Sequence, residues 1–109
     1  MPRRSLSNLR VLVTGASSGI GRELVLELAR QGSRVVAMAR REEKLASLEK
    51  EAQSRGHTIH IFPGDVTDAR LRFRALQFCQ ENLGGFDCLV NNAGIGAIGP
   101  FEEADEARL

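Results

Sequence analysis

The chain has 109 residues, which suits one domain and excludes two of ordinary size. Its 42% hydrophobic content can build a core, its 27% charged content is ordinary for a soluble protein, and a net charge of +1 leaves no electrostatic footprint for nucleic acid. With five phenylalanines and no tyrosine or tryptophan, it also lacks the stacking surface of a single-strand binder.

Arg3-Arg4 near the start is followed by no apolar run of signal-peptide type, and no stretch approaches the length of a membrane span. Val11-Leu12-Val13 reads as a short strand buried on both faces and ends in Thr14-Gly15. Ile20, Leu24 and Leu28, spaced four apart with Val25 beside them, mark the inner face of a helix from about Gly19 to Gln31, which Gly32 stops. Val35 to Ala39 reads as a second buried strand. A second helix runs from about Glu42 to Arg55, with Leu45, Leu48 and Ala52 inward and Gly56 at its end. Its Glu/Lys-rich outer side reads as a solvated face rather than a binding patch.

Thr58 to Phe62 alternate enough for a third strand, ended by Pro63-Gly64. Thr67 or Asp68 can cap a third helix reaching about Asn82, with Leu71, Ala75 and Phe78 on one face and Cys79 adjacent. Gly84-Gly85 breaks it. A fourth strand from about Asp87 to Asn91 leads into Asn92-Ala93-Gly94-Ile95-Gly96, and another helix begins near Pro100 with Glu102 and Glu103 in its first turn.

This alternation of strand and helix predicts an α/β fold with a doubly wound parallel sheet in the order 3-2-1-4. Right-handed crossovers put the first two helices on one face and the third on the other. A crevice then opens between strands 1 and 4 at their C-terminal ends, where such sheets bind ligands.

The segment Thr14-Gly15-Ala16-Ser17-Ser18-Gly19-Ile20-Gly21 lies between strand and helix, where a phosphate-binding turn must lie. Gly15 permits a tight exit from the strand. Gly19 removes a side chain where a pyrophosphate would approach, and Gly21 lets the helix pack close to the sheet. The plainer alternative is a tight turn that binds nothing. Glycine costs about 0.8–1 kcal/mol against alanine inside a helix, so something should offset three of them here. The spacing is not G-x-G-x-x-G, and the Lys-Ser/Thr of a Walker loop is missing.

Thr14 to Gly21 resembles the TGxxxGxG motif of the short-chain dehydrogenase/reductase family. Asp65-Val66 after the third strand and Asn91-Asn92-Ala93-Gly94 after the fourth resemble that family's later motifs, so the resemblance spans nearly the whole chain. It implies a Rossmann-like domain, truncated, with residues 1–109 forming the cofactor-binding part of an oxidoreductase for an alcohol/carbonyl pair. By position, Gly15, Ser17, Ser18, Gly19 and Ile20 would hold ribose and phosphates. Asp65 and Val66 would contact adenine, and Asn92, Ala93 and Gly94 would line the cleft. Asn91 would tie the central strands together, and Asp65 could also be a plain turn aspartate.

An NAD enzyme of this shape places an acid at the end of strand 2, where it accepts hydrogen bonds from the ribose 2′-OH. Here Ala39 stands there, followed by Arg40 and Arg41. A guanidinium fork suits a 2′-phosphate, and Glu42 and Glu43 lie later, in the helix. The expected cofactor is therefore NADP, with Arg40 as the main phosphate contact and Ser17 as a helper. The alternative for both arginines is a solvated helix start.

The family resemblance implies a Tyr-x-x-x-Lys pair, a preceding Ser and a helix Asn as the catalytic set. This chain has no tyrosine, so no catalytic residue is expected in it. Lys44 and Lys50 fall on the second helix. His57 and His60 flank the third strand without a metal-ligand set, so no metal is expected. Cys79 and Cys88 form no CxxC pair and read as reduced thiols.

The expected picture is an incomplete, cytoplasmic cofactor-binding fragment, inactive alone, whose full-length form acts on a small carbonyl or alcohol. Neither nucleic acid nor membrane is expected as a partner. The edge of strand 4, with Leu89-Val90, would allow pairing with another chain, and a homo-oligomer stays open. Two other readings use the same residues: a non-catalytic dinucleotide-binding module, and an assembly piece that pairs through strand 4.

Overall fold

The structure, a computed structural model, describes residues 7–17 and 19–92. The expectations for Ser18, Ala93, Gly94 and the helix beyond Pro100 lie outside those residues. Strands and helices alternate as β1 (Arg10–Thr14), α1 (Gly19–Arg30), β2 (Arg34–Ala39), α2 (Glu42–Ser54), β3 (His60–Pro63), α3 (Ala69–Leu83) and β4 (Cys88–Asn91). The four strands form one parallel sheet in the order β3-β2-β1-β4.

Period-two alternation divides the core between the two faces of this sheet. Val11 and Val13 of β1, with Val35, Ala37 and Ala39 of β2, pack with Val25, Leu26 and Leu28 of α1 and Leu45, Leu48 and Ala52 of α2. Leu12, Val36 and Met38 point the other way and pack with Ala75, Cys79 and Leu83 of α3. Burying each Val or Leu side chain contributes about 1.5–3 kcal/mol, so the fold rests on β1 and β2, which are covered on both faces. The two cysteines are free thiols, and burial pushes the Cys79 thiol up from its ordinary value.

Several boundaries differ from the sequence expectation for local reasons. β3 begins two residues late because the end of α2 holds the preceding turn, where the His57 amide donates to Ala52 O at 2.9 Å. Pro63 closes β3 opposite Ala39, a position an edge strand tolerates. Asp68, not Thr67, caps α3: its carboxylate accepts from the Arg70 amide at 2.9 Å. Ile20 is not on the inner face of α1 but 68% exposed, and the buried set runs through Gly21, Val25, Leu26, Leu28 and Ala29.

Two register partners, Arg10 and Arg34, sit at the starts of β1 and β2. Both reach the C-terminal carbonyls of α3. Arg10 donates to Gly84 O at 2.8 Å, and Arg34 donates to Leu83 O at 3.0 Å and Asn82 O at 3.3 Å. Arg10 also grips Asp87 with a two-pronged bond, Nε to Oδ2 at 3.0 Å and Nη2 to Oδ1 at 2.9 Å. These contacts satisfy carbonyls that a helix end leaves open and fasten the α3–β4 connection to the sheet. On β4, Leu89 lies opposite Leu12 in register and is 52% exposed.

Candidate functional site

The C-terminal ends of β1 and β4 are joined by one buried hydroxyl. Thr14, 2% exposed, donates through Oγ1 to Asn91 Oδ1 at 2.9 Å and accepts the Asn92 amide at 3.1 Å. Asn92 Nδ2 then donates to Gly15 O at 3.1 Å, which fixes the first residue of the glycine loop against the end of β4. Asn91 therefore does tie the central strands, with Thr14 as its partner. The part played by Thr14 was legible only through the rule that a buried hydroxyl needs partners.

The loop itself depends on backbone freedom and on close approach. Gly15 and Gly19 have φ of 64° and 59°, in the left-handed region that glycine enters without strain. Ala16 donates its amide to Met38 O at 3.2 Å, which docks the loop on β2. At Gly21 the reason is space: a Cβ there would lie 2.1 Å from Gly15 O and 2.5 Å from Asn92 Nδ2. Among the described residues, no heavy atom lies within 4 Å of a Cβ placed on Gly19. The packing of α1 thus requires Gly21, whereas at Gly19 the described residues leave room for a Cβ.

At these strand ends lies a cleft of about 940 Å³, within the usual range for small-molecule and cofactor sites. Gly15, Ser17 and Ile20 line it from the loop, and Met38, Ala39, Arg40 and Arg41 from the end of β2. Lys44 reaches it from the first turn of α2. Gly64, Asp65, Val66 and Thr67 come from the β3–α3 connection, and Asn92 from the end of β4. The fold so brings together Gly15, Ser17, Ile20, Arg40, Asp65, Val66 and Asn92 of the residues expected from sequence. Gly19 is next to the cleft in the chain but does not line it.

Asp65 is both a turn aspartate and a cleft residue. Its Oδ1 accepts the Thr67 amide at 2.9 Å and the Thr67 hydroxyl at 2.8 Å. These bonds, the backbone one foremost, hold its carboxyl below the ordinary carboxylate range, and the charge of Arg40 adds to the effect. The two bonds to Thr67 also fix the orientation of the Asp65 carboxyl.

The wall beside Ala39 is cationic. Arg40 and Arg41 are exposed, Lys44 is half-buried, and all three line the cleft. Glu42 and Glu43 are exposed and do not line it. Lys44 was missed in sequence because it reads as one of many charges on an outer helix face.

A dinucleotide fits these groups at both ends. The first turn of α1 carries no acid, so its free amides and dipole can receive phosphate oxygens. The opposite end offers a carboxylate beside three cations. Among the described residues no cluster of His, Cys, Asp and Glu could hold a metal ion, and the His60 ring packs edge-on against Phe78 at 6.3 Å. Among the same residues no helix is long and apolar enough to cross a membrane.

The family model for short chain dehydrogenase matches residues 9–109. An uncharacterized oxidoreductase of Myxococcus xanthus is 45% identical over 84% of this chain and 36% of its own length. Gluconate 5-dehydrogenase of Gluconobacter oxydans is 40% identical over 91% of this chain and 39% of its own length. L-xylulose reductase of Caenorhabditis elegans is 46% identical over 86% of this chain and 38% of its own length. The crystal structure of a short-chain type dehydrogenase/reductase from Mycobacterium marinum superposes with a TM-score of 0.79 at 33% identity, over 93% of this chain and 41% of that one. The chain spans well under half the length of these relatives, and it belongs to the short-chain dehydrogenase family.

Proposed function

We propose that residues 1–109 form the cofactor-binding part of an NADP-dependent oxidoreductase that interconverts an alcohol and a carbonyl compound. The observation that carries the cofactor choice is the wall at the end of β2. Ala39 stands where an acid would select the ribose 2′-OH, and Arg40 and Arg41 follow it into the cleft. A 2′-phosphate would meet donors at that strand end, where the one carboxylate lining the cleft among the described residues, Asp65, comes from the β3–α3 connection and not from β2.

In this reading the amides of Gly15, Ser17, Ser18, Gly19 and Ile20 hold the ribose and phosphates. Asp65 and Val66 receive the adenine, and Asn92, Ala93 and Gly94 line the part of the cleft beyond the loop. The bound nicotinamide supplies a hydride donor or acceptor. The relatives' names, among them gluconate 5-dehydrogenase, L-xylulose reductase and diacetyl reductase, support an alcohol/carbonyl pair as the substrate class.

The chain contains no tyrosine, so the family-type proton donor is not among its residues, and the chain alone binds cofactor without turnover. The two free thiols suit a reducing, cytoplasmic setting.

Titration with NADPH and NADH, followed by cofactor fluorescence, tests the reading. Hydrogen bonds to charged groups contribute about 1.5–3 kcal/mol, so a preference for NADPH of roughly ten- to a hundredfold is expected, and Arg40→Ala should remove most of it. Equal affinities would overturn the NADP assignment. Steady turnover of a carbonyl by this chain alone would overturn the assignment as a binding part.

A further inference from the structure

We propose that Lys44 is a specificity-determining residue, a third cation that acts with Arg40 and Arg41 on the 2′-phosphate of the nucleotide. This rests on the NADP reading given above and extends it to a residue on a different element. Lys44 lines the same cleft as the two arginines, from the first turn of the helix that Arg41 precedes as N-cap. Glu42 and Glu43, between them in sequence, are exposed and absent from the cleft lining. The rotation of α2 is set by Leu45, Leu48 and Ala52, all 0% exposed, and it turns the lysine inward and both acids outward.

The surrounding ion pairs leave this cluster available. Arg10 is engaged by Asp87, Arg22 and Arg55 by Glu51, and Arg30 by Glu27. Among the described residues no carboxylate forms an ion pair with Arg40, Arg41 or Lys44. Asp65, the acid that lines the cleft, gives Oδ1 to Thr67 and acts on Arg40 only through space, without an ion pair. Lys44 also sits in the first turn of α2, where a cation opposes the helix dipole. A residue placed against that local preference and turned toward a cleft is explained by an anion there.

The three cations would differ in what they do. A guanidinium can offer paired donors to phosphate oxygens, whereas an ammonium is a compact charge on a flexible stem. Lys44 is half-buried, so water screens its charge less than that of the exposed Arg40 and Arg41. It should therefore add to discrimination for the 2′-phosphate and leave the rest of the nucleotide untouched.

The test is calorimetric binding of NADPH, NADH, adenosine 2′,5′-bisphosphate and 5′-AMP to the full chain and to Lys44→Met, Lys44→Arg and Arg40→Ala. Lys44→Met keeps the apolar stem and removes the charge. It is expected to weaken NADPH and the bisphosphate about three- to tenfold, with NADH and 5′-AMP changed less than about twofold. Lys44→Arg should restore most of the loss, and the salt dependence of NADPH binding should become shallower in Lys44→Met. An equal loss for all four ligands would overturn the proposal. So would no loss for any ligand in Lys44→Met while Arg40→Ala still weakens NADPH, a result that leaves the NADP reading intact. If the unaltered protein does not prefer NADPH over NADH, the NADP reading fails and the role of Lys44 fails with it.

Discussion

The side-chain amide of Asn92 occupies the space that a methyl group on Gly21 would need. A Cβ on Gly21 would lie 2.5 Å from Asn92 Nδ2 and 2.1 Å from Gly15 O, the two atoms that share a hydrogen bond of 3.1 Å. Gly21→Ala must therefore displace backbone at the head of the cleft. The expected loss of stability is about 1–3 kcal/mol by urea unfolding, as for an overpacked core site. NADPH affinity should fall along with it.

Gly19 should behave in the opposite way. Its φ of 59° strains an ordinary residue, but its Cβ would meet nothing among the described residues. Asparagine tolerates that backbone region, so Gly19→Asn should change unfolding stability by less than about 1 kcal/mol. The same variant should lose most of its nucleotide affinity, because the new side chain fills the space proposed for the pyrophosphate. Unchanged NADPH binding in a folded Gly19→Asn would remove Gly19 from the site.

Thr14→Val keeps the shape of the side chain and deletes the hydroxyl that joins β1 to β4. The Asn92 amide and Asn91 Oδ1 would each lose a partner in a part-buried position. Leaving such groups unsatisfied costs about 1–3 kcal/mol, readable in denaturant unfolding. Thr14→Ser keeps the hydroxyl and should fall much less.

Acid should destabilise the fold through carboxylates held below their ordinary values. Arg30 and then Gln31 bring Glu27 from 4.5 to about 2, and Arg22 with Arg55 lowers Glu51. Such groups take up protons more readily in the unfolded chain, so their contribution is present above about pH 4.5 and lost as pH falls toward about 2. A thermal-midpoint profile should decline across that window, and Glu27→Gln should make the decline shallower. A decline of the same steepness in Glu27→Gln would dismiss Glu27 as a contributor.

The sheet and its order were legible because apolar runs such as Val11-Leu12-Val13 mark strands covered on both faces, and crossover handedness leaves few ways to arrange them. Gly15, Asp65 and Asn92 were legible because motif position places them at strand ends. Other features depend on geometry that spacing does not carry. Whether Lys44 or Glu43 faces the cleft depends on how α2 is rotated against the sheet. The role of Thr14 depends on register between strands, with its partner Asn91 77 residues away in sequence. The four-residue spacing through Ile20 extends the helical stripe onto a residue that is exposed and lines the cleft.

Arg10 and Arg34 close the end of the sheet opposite to the cleft, and β1 alone separates the two ends by roughly 13 Å. Changes at sites that far apart, with no shared partner, combine additively. Stability changes made at the arginine clasp should therefore leave the proposed nucleotide contacts unaffected. On the NADP reading, the cationic wall of Arg40, Arg41 and Lys44 could be rewritten for a different nucleotide while the arginine clasp at the other end keeps the frame together.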